Sequence, residues 1–108
     1  MRGAGLANIE QVRISGGGTR SGIWRQILAD VLQAELVTVN TTEGAAYGAA
    51  VLAAVGTGTF DSTEHACEQL IRITGRTAPG ENVARYNEQY AVYRTLYPAL
   101  KATFAALA

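Results

Sequence analysis

Ser15-Gly16-Gly17-Gly18-Thr19-Arg20-Ser21-Gly22 is the stretch of this 108-residue chain whose residue types and spacing best suit chemistry. A β-prone run, Val12-Arg13-Ile14, leads into three glycines, and small polar residues then open a helical pattern. Glycine loses more backbone freedom on folding than any other residue. Three together therefore need a geometric reason: positive φ, or a backbone that something else must approach closely. At a strand-to-helix junction the approaching group is commonly a phosphate or a nucleotide. The structural alternative is a tight turn that needs glycine only to pack helix on strand.

Neither common glycine-loop fingerprint fits. A P-loop requires Lys followed by Ser or Thr after its last glycine, and the only lysine here is Lys101. The dinucleotide pattern G-x-G-x-x-G is met at Gly16 and Gly18 but fails at Ser21, one residue before Gly22. It also wants an acid after the second strand, where Asn40-Thr41-Thr42 stand before Glu43. No nucleophile, base and orienting group occur as a set. His65 sits beside Glu64 and near Glu68 and reads as a surface residue. Cys67 reads as a small core residue. Asp30 falls near a helix C-terminus, the unfavourable end of the dipole for an acid, which suggests a partner elsewhere in the fold. On these residues alone the chain is a nucleotide-binding half-site with no catalytic residue and no metal ligands.

The elements that would position the glycine turn follow from periodicity. Ile9–Ser15 is predicted as a strand, and Ser21 or Thr19 as the cap of a helix over Gly22–Gln33. In that helix Ile23, Trp24, Ile27, Leu28, Val31 and Leu32 form two adjoining apolar rows, with Arg25, Gln26, Asp30 and Gln33 on the polar side. Leu36–Val39 is a second strand, parallel to the first in a βαβ unit. A small-residue helix, about Glu43–Val55, suggests close internal packing, since Gly44 and Gly48 are costly in a helix otherwise. Asp61 with Glu64 reads as the start of a third helix over Ser62–Thr74, with Gly75 as its C′ residue and a loop over 76–82. From Arg85 to Leu107, the residues Tyr86, Tyr90, Tyr93, Tyr97, Leu100, Phe104 and Leu107 make one seam, read as docking on the helical layer, with Pro98 bending it near Tyr97. Residues 1–8 read as an arm or the tail of a missing element.

Composition bounds the classes. Hydrophobic content of 48% with 17% charged residues describes one ordered domain. Nine basic residues balance nine acidic ones, so binding to nucleic acid by phosphate neutralisation is disfavoured. One cysteine excludes an internal disulfide and fits a cytoplasmic location. No apolar run reaches membrane-spanning length.

The run from Ile14 to Val31 resembles the adenosine motif of the FGGY carbohydrate kinases, most closely their xylulokinase branch. Thr41 to Ala53 is similar to the family's second connecting helix at the interdomain hinge, and Tyr86-Asn87-Glu88-Gln89-Tyr90 through Leu100 to its C-terminal helix. The resemblance implies an α/β fold: part of an actin-like (ribonuclease H-like) ATPase domain, with a short, partly parallel sheet and about four helices, the last one long. It implies that residues 1–108 are the final segment of the kinase's C-terminal, nucleotide-binding domain, with the N-terminal sugar-binding domain upstream. The parent would move the γ-phosphoryl group of ATP, with Mg²⁺, to a sugar hydroxyl, converting D-xylulose to xylulose 5-phosphate, while this segment alone would be inactive. Gly16 and Gly17 would lie against adenosine or the α-phosphate, Gly18 would complete the turn, Ser21 would contact adenine, and Gln26 would lie one turn further on. Loss of upstream packing would leave apolar surface that drives self-association. A Rossmann-like dinucleotide module and a non-catalytic helical interaction domain are the alternatives.

Overall fold

The computed structural model describes residues 8–108; the expected arm at residues 1–7 lies outside them. Strand β1 (Gln11–Ile14) enters the glycines, helix α1 (Gly22–Leu32) follows, and strand β2 (Glu35–Val39) returns beside β1. The two strands are parallel, pairing Gln11 with Glu35 through Ile14 with Thr38, as a βαβ unit requires. β2 is the central strand, and Leu36 and Val37 are both fully buried, so it is covered on its two faces.

The chain then departs from its expected course. Helix α2 (Gly44–Gly56) forms, but it is not a tightly packed internal helix. Val51 is its one buried residue, and a Cβ at Gly48 would meet nothing within 4 Å. Helix α3 runs only over Thr63–Leu70 and is capped by Ser62, whose hydroxyl accepts from the His65 N–H, rather than by Asp61. Gly75 is not a helix C′ residue, and 76–82 is not wholly a loop, because Ile73–Thr77 is strand β3, antiparallel to β2. The cause lies in Asn40. Its Nδ2 donates to the Leu70 carbonyl at 2.9 Å and its Oδ1 accepts from the Arg72 N–H at 3.0 Å, so this one amide closes the helix and starts the strand. A Cβ at Gly75 would stand 2.9 Å from Thr38 Oγ1, which explains glycine opposite Thr38. The register shifts beside it, between Thr38 and Val39. There Thr74 reaches the Thr38 hydroxyl at 3.1 Å.

Helix α4 (Val83–Leu107) runs unbroken through Pro98. Its seam does not dock as expected: α1 contacts α4 and Tyr86 is half-buried, yet Tyr90, Tyr93, Tyr97, Leu100, Phe104 and Leu107 stay exposed, as does Leu96 beside them. On α1, likewise, Ile23, Trp24, Val31 and Leu32 are bare. The side facing the sheet buries Ala29 and Asp30 and half-buries Ile27 and Leu28. The chain exposes 8015 Å² of surface, where a compact monomer of its mass exposes roughly 5,800 Å². Its radius of gyration is 18.7 Å against about 13 Å for a compact domain of this length.

Candidate functional site

The glycine turn lies at the carboxyl end of β1, where parallel α/β units place ligands. Its three glycines have different reasons to be glycine. Gly16 has φ 98° and ψ 177°, a conformation essentially reserved for glycine. Gly18 is tightly placed, since a Cβ would stand 3.1 Å from the Trp24 indole, which would have to give by a few tenths of an ångström. Gly17 has φ outside the positive range and open space where a Cβ would be. No contact within the fold asks for glycine at position 17.

The turn is built as a 3₁₀ segment, Gly17–Arg20. The Thr19 N–H and hydroxyl both donate to the Gly16 carbonyl, at 3.2 and 2.7 Å, and the Ser21 N–H donates to the Gly18 carbonyl at 3.2 Å. Ser21 caps α1 by accepting from the Trp24 N–H at 3.2 Å. Arg25 reaches back from the helix and donates to the Thr19 carbonyl, tying α1 to the turn it follows.

Two concavities flank this junction. A polar groove of about 310 Å³ is lined by Thr19, Arg25, Thr38, Thr74, Arg76 and Thr77, among others. An apolar cleft of about 410 Å³ runs between the carboxyl ends of β1 and β2 and helices α2 and α3, lined by Ile14, Ser15, Tyr47, Val51, Cys67 and Ile71 among others. Cys67 is thus half-buried in a cleft wall rather than in the core. His65 is exposed, its ring edge-on to Phe60.

Of the five candidate residues, Gly16, Gly17, Gly18 and Ser21 share the turn, and Gln26 does not join them. Gln26 Nε2 donates to Asp30 Oδ1 at 2.9 Å and to the Ala78 carbonyl at 3.0 Å. Asp30 is 1% exposed, and its Oδ1 also accepts the Gly80 N–H at 2.6 Å. The polar side expected for α1 is therefore not all facing water: at Gln26 and Asp30 it packs on the loop that carries Ala78 and Gly80. That loop also supplies the partner that an acid at the end of a helix needs. A Cβ at Gly80 would stand 3.0 Å from Gln26 Nε2, so glycine there permits the close approach. Sequence reasoning passed over Trp24 and Arg25 at the turn, reading them only as helix-face residues. Their position within one turn after the glycines was the available signal. Among the described residues no three of His, Cys, Asp and Glu converge on one point, so no Mg²⁺ ligand set is assigned to them. Among the described residues, too, no helix is long and apolar enough to cross a membrane.

A glycine turn between a parallel strand and a helix, in a small mixed sheet with a long final helix, defines the class as an α/β fold with a βαβ unit and an added antiparallel strand. Residues 3–57 match the model of the C-terminal domain of the FGGY family of carbohydrate kinases. The chain belongs to that family. It is 36% identical over 87 residues to the xylulose kinase of Bacillus subtilis (strain 168), a match covering 80% of this chain and 17% of that protein. With a gluconokinase of Bacillus licheniformis it shares 31% identity over 101 residues, covering 93% of this chain and 20% of the other. The crystal structure of a xylulose kinase from Lactobacillus acidophilus superimposes with a TM-score of 0.80 at 20% identity, covering 91% of this chain and 20% of that one; it shares the actin-like fold. The chain therefore spans about a fifth of the length of the curated relatives it matches.

Proposed function

We propose that this chain is the adenosine-holding segment of the C-terminal domain of an ATP-dependent sugar kinase, with the sugar-binding residues in another part of that enzyme. The observation that carries the reading is Gly17: an exposed glycine at the carboxyl end of a parallel strand that no internal contact requires. Gly16, Gly17 and Gly18 form the surface a ribose or α-phosphate approaches, Ser21 holds the turn's shape beside it, and Gln26 supports α1 from behind. ATP supplies the phosphoryl group when bound, and Mg²⁺ belongs to the full-length enzyme. Phosphoryl transfer depends on positioning and charge stabilisation by several groups at once. With no such set among these residues, the 108-residue chain alone should not phosphorylate a sugar.

D-Xylulose is the proposed acceptor, on the strength of the xylulose kinase relatives. Gluconate is the second reading, favoured by the gluconokinase match. ATP as donor and a single cysteine suit a cytoplasmic enzyme. Calorimetric titration tests the nucleotide reading. ADP should bind and NAD should not, and Gly17→Val should weaken ADP at least about tenfold by placing a side chain where the ligand passes, a loss of about 1.4 kcal/mol. Equal affinity for ADP in the variant, or preference for NAD, overturns it. The bare apolar faces of α1 and α4 support self-association of the isolated chain. Light scattering should report a dimer or larger, and a monodisperse monomer refutes that part.

A further inference from the structure

The nucleotide reading leaves one conspicuous residue unused. Trp24 is the single tryptophan of the chain, and it stands 47% exposed in the first turn of α1. Its backbone N–H donates to the Ser21 hydroxyl at 3.2 Å, and the Cδ1–Nε1 edge of its indole lies close over the turn, 3.1 Å from where a Cβ at position 18 would stand. A side chain at Gly18 would press on the indole, and the backbone there has no positive φ, so the tight neighbour at that position is the indole. A large aromatic surface is thus held at the glycine turn and left half open to solvent. Apolar side chains in general are not explained by exposure, but an aromatic face beside a backbone cradle suits one ligand chemistry well: a planar base stacked on the ring.

We propose that Trp24 is the stacking platform for the base of the bound adenine nucleotide, so that the turn takes the ribose–phosphate part and the indole takes the ring. This rests on the nucleotide reading above and adds the residue that orients the base. Ser21 acts one step back: by accepting from the Trp24 backbone N–H it fixes where α1 starts and so where Trp24 stands on the helix. The stacking contact is tolerant of which aromatic supplies it, and its loss on substitution by alanine is worth about 5- to 150-fold in affinity.

Because Trp24 is the only tryptophan, its fluorescence reports on this contact without ambiguity. In the 108-residue chain, ADP should quench the emission, whereas ribose 5-phosphate and pyrophosphate, which lack the base, should leave it unchanged. By calorimetry, Trp24→Ala should bind ADP roughly tenfold more weakly, and Trp24→Phe should recover to within about threefold of the unmodified chain. If Trp24→Ala fails to fold, the fluorescence titration of the unmodified chain still decides. ADP that binds calorimetrically without changing the emission, or a folded Trp24→Ala with full affinity, overturns the stacking assignment and leaves the nucleotide reading intact. Absence of any ADP binding removes both.

Discussion

Helix α1 is held differently at its two ends, and the difference separates scaffold from site. At the carboxyl end every polar group in the cluster has a partner inside the fold: Asp30 accepts from Gly80 and Gln26, and Gln26 also reaches the Ala78 carbonyl. At the amino end the turn is shaped by Thr19, Ser21 and Arg25, yet Gly17 has no internal cause and Trp24 is half open. A residue whose chemistry is consumed by its neighbours is explained once folding is explained. A residue that folding leaves unexplained points to something outside the chain. By this measure Gln26 belongs with the scaffold although it lies only one turn beyond the cap, while Gly17 and Trp24 are the residues that the proposed nucleotide reading assigns to the ligand.

The largest effect that tests the distinction lies at the carboxyl end. Asp30→Ala removes an acceptor from two donors in a buried setting and leaves the Gly80 N–H and the Gln26 amide without it. Hydrogen bonds to a charged group are worth about 1.5–3 kcal/mol each, and an unmet buried donor costs a similar amount. A loss of about 3 kcal/mol in unfolding free energy is expected from urea titration, with ADP affinity of the folded fraction unchanged. A loss under about 1 kcal/mol means that the cluster does not hold the β3–α4 loop. The opposite pattern is expected from Gly17→Val, the variant that should weaken ADP at least about tenfold. With no strained φ and no neighbour within 4 Å of the new Cβ, its unfolding midpoint should stay within about 0.5 kcal/mol of the unmodified chain. A strongly destabilised Gly17→Val would place the glycine with the scaffold and erase the contrast.

The amino end was legible in the sequence because its signals are local. A β-branched run, three glycines and a serine cap lie within a dozen residues, and each acts on its nearest neighbours. The carboxyl end was legible only in part: an acid at the unfavourable end of the helix dipole signalled that Asp30 has a partner, but that partner, Gly80, lies fifty residues away and no local pattern names it. β3 escaped for the same reason. Ala66, Leu70 and Ile73 continue a helical row, and it is distant groups that end α3 at Leu70: Asn40 and the Tyr47 hydroxyl both donate to the Leu70 carbonyl, and Asn40 also pairs with Arg72. In α2, alanine and glycine suggested a close neighbour, but small residues permit close packing without supplying one, and the described residues place none on its outer face.

The smallest effect concerns Glu35, a carboxylate like Asp30 but at the surface. Its Oε1 accepts from Gln11 Nε2 on β1 at 3.0 Å and from Arg76 Nη1 on β3 at 2.6 Å, so one acid bridges all three strands. The Gln11 hydrogen bond first, and then the Arg76 guanidinium, hold its carboxyl below the usual carboxylate range. A depressed value in the folded chain stabilises the fold above the unfolded carboxylate's pKa, and that contribution is lost as pH falls through the folded value. Exposure keeps it small, because water and salt screen surface pairs. The difference in urea midpoint between the unmodified chain and Glu35→Gln should therefore favour the unmodified chain slightly at neutral pH. It should shrink with added salt and vanish in acid. A difference that survives acid and salt unchanged would show that Glu35 acts by packing between the strands and not by its charge.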